Sequence, residues 1–111
     1  MKVVFSNVEL SKREIIKLTR SECEAIDKLK EEVEIHPDRV LIYDDENNDG
    51  ETVRVMTIED DQTGRRFNTT SPYFIEEFMY IHSFMTPDDF SVRTMKRLSK
   101  NNKEFNTCEI V

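Results

Sequence analysis

One amphipathic helical pattern interrupts a chain that otherwise reads, from residue 39 onward, as β-strand and turn. Ser71 suits an N-cap and Pro72 the first helical position, where a missing N–H costs nothing. Phe74, Phe78, Ile81 and Met85 follow at intervals of four, three and four, so they share one face. Glu76 and Glu77 favour the positive end of the helix dipole, and Thr86-Pro87-Asp88-Asp89 closes the helix. A helix laid on a sheet must bury its apolar side. The aromatic set Tyr73, Phe74, Phe78, Tyr80 and Phe84 is therefore expected in the core.

The flanking runs have the period of strands. Residues 39–43 and 51–58 are β-rich and are separated by Asp44-Asp45-Glu46-Asn47-Asn48-Asp49-Gly50, a hairpin signal. Asp61-Gln62-Thr63-Gly64 turns the chain into a third rung over 65–68. After the helix, residues 90–96 and 104–110 form a hairpin around the polar loop 99–103, which has a basic rim. Upstream, residues 2–5 predict a short strand. Ser11 with Glu14 has the form of a capping box opening a helix that carries Ile15, Ile16 and Leu18. Ser21-Glu22-Cys23-Glu24 repeats that form, and Ala25, Ile26 and Leu29 predict a second short helix ending before Pro37. Three strands, a helix and two strands is the order of a five-stranded OB barrel. The competing α+β sandwich would lay one helix across a sheet. The expected fold is thus mainly β with helices (α+β), an OB-like barrel over 37–111 with a helix between strands 3 and 4. A strand and helical segment over 1–36 precedes it within the same domain.

Composition excludes several classes. A chain of 111 residues that is 37% hydrophobic, with seven Phe and three Tyr, fits one domain and does not read as disordered. No apolar run approaches the roughly 20 residues that span a bilayer, so a cytoplasmic protein without membrane partners is expected. Cys23 and Cys108 form no CxxC pair, and with only His36 and His82 beside them no zinc set is spaced for binding. Asp45-x-Asn47-x-Asp49-Gly50 begins like a calcium loop, but Met56 stands where a bidentate Glu is required, so an acidic turn is the better reading. The carboxylates Asp44, Asp45, Glu59, Asp60, Asp61, Asp88 and Asp89 are read as turn residues, neither His has a nucleophile at a motif spacing, and no Gly-rich phosphate loop exists. Neither catalysis nor a cofactor is expected.

Charge is unevenly spread. Residues 1–90 hold 11 basic and 21 acidic side chains, whereas residues 91–111 hold 5 basic and 2 acidic ones. Between Asp89 and Glu104 there is no acid. Basic and aromatic residues adjoin at Arg65-Arg66-Phe67 and along the final hairpin from Arg93 to Phe105. Single-stranded nucleic acid is bound by that mixture, cations tracking phosphates while flat rings stack on bases. Strand alternation puts Arg93 and Met95 on one face, with Phe90, Val92 and Thr94 on the other.

Several pieces also occur together in a known pattern. Leu10-Ser11-Lys12-Arg13-Glu14-Ile15 leads to Leu18-Thr19, then to Val40-Leu41-Ile42-Tyr43 and Gly50-Glu51-Thr52-Val53-Arg54-Val55-Met56-Thr57-Ile58. A turn at Gly64 precedes Phe67-Asn68-Thr69-Thr70-Ser71 and the helix. Its most specific part is the closing hairpin, Phe90-Ser91-Val92-Arg93 to Ser99-Lys100-Asn101-Asn102-Lys103-Glu104-Phe105-Asn106-Thr107-Cys108. Over residues 10–110 this resembles, in hydrophobicity and turns, the small single-stranded DNA-binding proteins of phages and mobile elements of Gram-positive bacteria. The resemblance implies sequence-tolerant binding of single-stranded DNA in replication or recombination, in a bacterial cytoplasm.

On that reading Arg65, Arg66, Arg93, Lys96, Arg97, Lys100 and Lys103 neutralise phosphates. Tyr43, Phe67 or Phe105 stacks on bases. DNA against RNA, and a homo-oligomer against a monomer, stay open. The rival is an acidic interaction module, an inhibitor of a host protein or a DNA mimic. It requires Glu31, Glu32, Glu34, Asp44, Asp45, Glu46, Asp60 and Asp61 to form one ridge.

Overall fold

A computed structural model describes residues 1–20 and 22–111. In chain order it contains β1 (Lys2–Ser6), α1 (Lys12–Arg20), β2 (Glu24–Ala25), a 3-10 turn (Ile26–Lys28), β3 (Glu34–Ile35), β4 (Pro37–Glu46), β5 (Thr52–Asp60), β6 (Arg66–Thr69), α2 (Pro72–Met85), β7 (Val92–Leu98) and β8 (Glu104–Ile110).

Among the described residues the strands form two open sheets and no closed barrel. One runs β1-β4-β5-β6-β2, the other β3-β7-β8. This corrects the expected OB-like barrel. Closure needs every edge strand paired at a consistent tilt and stagger. Here β6 takes the two-residue β2 as a parallel neighbour, while β7 and β8 pair with β3 in a separate sheet. The gap between the sheets is filled by α2, whose Phe74, Ile75, Phe78 and Ile81 join Val40, Ile42, Met56 and Ile58 of the large sheet and Val92 and Cys108 of the small one.

Strand β4 is buried on both faces. Val40 and Ile42 point into the main core, whereas Leu41 and Tyr43 meet Leu18 in a second cluster that Leu10 and Ile15 complete. Helix α1 therefore covers the outer face of the large sheet. Its start is the expected capping box. The Glu14 N–H donates to Ser11 Oγ and the Ser11 N–H to Glu14 Oε1, both at 3.1 Å.

The second helix expected after residue 21 is absent among the described residues; the capping residue Ser21 itself lies outside them. Glu24 and Ala25 pair with Phe67 and Asn68, and Glu34 and Ile35 with Arg93 and Val92. An extended backbone lets this segment edge both sheets while Ile26 and Ile35 enter the core. Pairing to distant strands outweighs weak local helix preference.

Helix α2 begins as its sequence predicts. Ser71 Oγ accepts from the Phe74 N–H at 3.3 Å and donates to the Asn106 carbonyl at 2.8 Å, tying the cap to β8. Its aromatic residues divide, however. Phe74 and Phe78 are fully buried, but Tyr73, Tyr80 and Phe84 are 57%, 66% and 78% exposed. The expectation that all five are core is corrected. Residues 73, 80 and 84 lie seven and four apart, on a face about a third of a turn round the helix from Phe74 and Phe78, and one side of a helix faces the core.

Candidate nucleic-acid interface

The β7–β8 hairpin collects the C-terminal cations. Its loop closes through the Ser99 N–H on the Lys103 carbonyl at 2.8 Å and the Asn102 N–H on the Ser99 carbonyl at 2.9 Å. Asn102 adopts φ 58°, a left-handed conformation that Asn tolerates better than most residues. Lys100 and Lys103 are exposed on this loop.

The register decides what surrounds the remaining cations. Arg93 lies opposite Glu109, Lys96 opposite Asn106 and Arg97 opposite Phe105. Both Arg93 and Arg97 lie 3.5 Å from the Glu109 carboxylate, so one acid is shared between two guanidinium groups. Lys96 reaches Glu104 at 3.6 Å and donates to the Asp27 carbonyl at 3.2 Å. The expected separation of faces holds at the strand's start, where Val92 and Thr94 are buried and Arg93 and Met95 only partly so.

Phe105 is half-buried and rests on Tyr73, with ring centroids 4.7 Å apart and planes tilted by 47°. Because Tyr73 is more than half exposed, the pair presents aromatic surface to solvent beside Arg97. Two grooves border the hairpin. One of about 360 Å³ is lined by Ile26, Leu29, Lys30, Thr94, Lys96 and Asn106 among others. The other, of about 320 Å³, includes Asp27, Thr70, Tyr73, Phe105 and Asn106.

The other nominated residues lie elsewhere. Tyr43 is 7% exposed beneath α1, and Phe67 is 1% exposed in the main core. Neither offers a ring face to a base. Arg65 makes a two-point ion pair with Glu24, at 2.8 and 2.7 Å, across the β2–β6 edge, and its guanidinium lies 4.9 Å from the Phe67 ring centroid. That pairing holds the Glu24 carboxyl below its ordinary range. Arg66 donates to Glu59 Oε2 at 2.9 Å, in a group that also contains Arg39 and Glu14. Arg65 and Arg66 are thus engaged within the large sheet, and the hairpin cations stand on the small one.

Asp45 and Asp60 lie near opposite ends of the β4–β5 ladder. Asp45 pairs across from Val53 and Asp60 from Pro37, which separates them by about 24 Å of strand. Asp44 is held by Arg54 at 2.8 and 3.0 Å. Asp60 supports its own turn. Burial pushes its carboxyl up, but hydrogen bonds from the Thr63 hydroxyl and from the His36 and Thr63 N–H groups outweigh this and leave it lowered. In the stretch that begins like a calcium loop, Asn47 Oδ1 accepts the Asp49 and Glu51 N–H groups, both at 3.0 Å, as the cap of the β4–β5 turn.

The residues that the sequence reading missed are Tyr73, Tyr80 and Phe84 as solvent-facing aromatics. The signal was present. Their spacing of seven and four sets them apart from the 74-78-81-85 face, so α2 carries rings on two faces. Among the described residues no group of three or more His, Cys, Asp or Glu is placed to hold a metal ion, and no helix is long and apolar enough to cross a membrane. Comparison with protein-family models, curated proteins and solved structures finds no match to this chain.

Proposed function

We propose that the protein binds single-stranded DNA, without strong sequence preference, along the β7–β8 hairpin. Arg97, Lys100 and Lys103 meet phosphates, and the Tyr73–Phe105 pair takes a base. The observation that carries this reading is the juxtaposition of Arg97 with Phe105 across the ladder, with the Tyr73 ring tilted against Phe105 at 4.7 Å. Cations beside exposed rings suit a single strand, whose bases are free to stack; every base has a π-face, so stacking tolerates sequence. Arg93 and Arg97 share a single carboxylate, and Lys100 and Lys103 stand on the loop, so the tip is locally positive on an anionic protein.

Fluorescence anisotropy with a labelled oligo-dT of about thirty nucleotides, beside a duplex of equal length, tests the proposal. Binding to the single strand should exceed binding to the duplex. It should weaken with salt at a log–log slope of about −2, as three phosphate contacts on a single strand require. Lys100→Gln with Lys103→Gln should flatten that slope. No binding at low salt, or equal binding to the duplex, refutes the reading. An oligo-rU of the same length separates DNA from RNA.

A further inference from the structure

We propose that the outer face of α2 is a docking surface for a basic amphipathic helix of a second protein; its Tyr80 and Phe84 lie outside the proposed base site, and Tyr73 is shared with it. Tyr73, Tyr80 and Phe84 are the most exposed rings of the chain, and all three stand on this one face. From Tyr73 to Phe84 the stripe runs about 16 Å, three helical turns. Together the three residues leave on the order of 400 Å² open to water, comparable to the largest apolar patch of a typical monomer, which is often functional.

Charge selects the occupant. Glu76 and Glu77 are exposed on the same helix, Asp88 and Asp89 are exposed just beyond its end, and no Lys or Arg occurs between Arg66 and Arg93. A second copy docked face to face would set these acids against their own equivalents, on chains that each carry −7. Nucleic acid would meet the same repulsion along the middle of the stripe. A helix with apolar residues at i, i+3 or i+4, and i+7, flanked by Lys or Arg, covers the rings and pairs the acids.

The test uses the full chain and a fluorescein-labelled peptide of about eighteen residues, or five turns, with Leu at the first and fourth heptad positions and Lys elsewhere. Two controls accompany it, a scrambled peptide of equal composition and a version with Glu in place of Lys. The Leu/Lys helix should bind, the scrambled and Glu peptides should bind at least about tenfold more weakly. Tyr80→Ser with Phe84→Ser should lose about tenfold for the Leu/Lys peptide. Both side chains are exposed, and an unchanged melting curve checks that the fold is kept. Glu76→Lys with Glu77→Lys should shift preference toward the Glu peptide.

Equal binding of the scrambled peptide, or full binding by the Ser variant, overturns the proposal. So does a wild-type dimer in sedimentation that the Ser variant dissociates, which would give the stripe to a second copy. Loss of oligo-dT binding by that variant without loss of peptide binding would give it to nucleic acid instead.

Discussion

Arg39 grips both oxygens of the Glu59 carboxylate, Nε at 2.8 Å and Nη2 at 2.9 Å, between the neighbouring strands β4 and β5. Its third donor, Nη1, reaches Glu14 Oε2 at 3.0 Å, and Glu14 in turn closes the capping box of α1. Arg66 adds a further donor to Glu59 from β6. One nearly buried carboxylate thereby joins three strands to the helix that covers them. A charge this far from water is tolerated only when its lone pairs are filled, as they are here.

Glu59→Gln should destabilise the fold by roughly 2 to 4 kcal/mol, because it removes the charge that Arg39 and Arg66 share in a partly desolvated site. The pH dependence has a defined sign. Arg39 holds the Glu59 carboxyl below its ordinary value, and the Ser11 N–H does the same for Glu14. Groups lowered in the folded state contribute stability above the unfolded carboxylate value, about 4.3, and lose it as pH falls through the folded value. Urea midpoints measured from pH 7 downward should therefore fall below about pH 5. They should fall less steeply for Glu59→Gln; parallel curves would show that Glu59 carries none of the effect.

Three turns end on a left-handed residue: Gly50 at φ 76°, Gly64 at φ 72° and Asn102 at φ 58°. An added Cβ at Gly50 would meet nothing within 4 Å, so Gly50→Ala isolates the backbone cost. That substitution should lower stability by about 1 to 2 kcal/mol. Asn102→Ala should cost about 1 kcal/mol, and Asn102→Gly should stay within about 0.5 kcal/mol of the parent. Thermal melts of the three variants give the comparison.

Phe67 and Phe105 should separate stability from binding. Phe67→Ala empties a fully buried site and should cost about 3 to 5 kcal/mol. Phe105→Ala removes a half-buried ring and should cost about 1 to 2 kcal/mol. The order reverses for oligo-dT affinity in the folded proteins, where Phe105→Ala is the variant that loses binding. If Phe105→Ala binds as well as the parent, the stacking role assigned to that ring is wrong.

The two thiols should differ in reactivity. Burial, with a smaller contribution from Glu77, pushes the Cys108 thiol up to about 12, and the side chain is enclosed in the main core. Cys23 is only half-buried; burial raises its thiol while Arg66 acts in the opposite direction. Titration of the native protein with a thiol-exchange reagent should modify Cys23 first, and Cys108 only after denaturant is added. Equal rates in the native state would mean that the core around Cys108 opens readily.

What the chain specified by itself was local. Ser11 with Glu14 and Ser71 with Pro72 act across three residues or fewer, and both start the helices expected of them. The β-rich run 104–110 and the loop 99–103 became β8 and its turn, because strand propensity and turn chemistry are short-range properties. Composition likewise pointed to a packed core. The tertiary structure alone decided matters that depend on contacts between distant residues. Glu24 pairs with Phe67 and Glu34 with Arg93, and these pairings turned an expected helix into two sheet edges and left the sheets open instead of closed. The same long-range contacts buried Tyr43 and Phe67, engaged Arg65 and Arg66 with acids, and left Tyr73, Tyr80 and Phe84 facing water. A side chain's identity limits what it can do; whether it meets solvent, a core or a counter-charge depends on which remote strand the fold brings beside it.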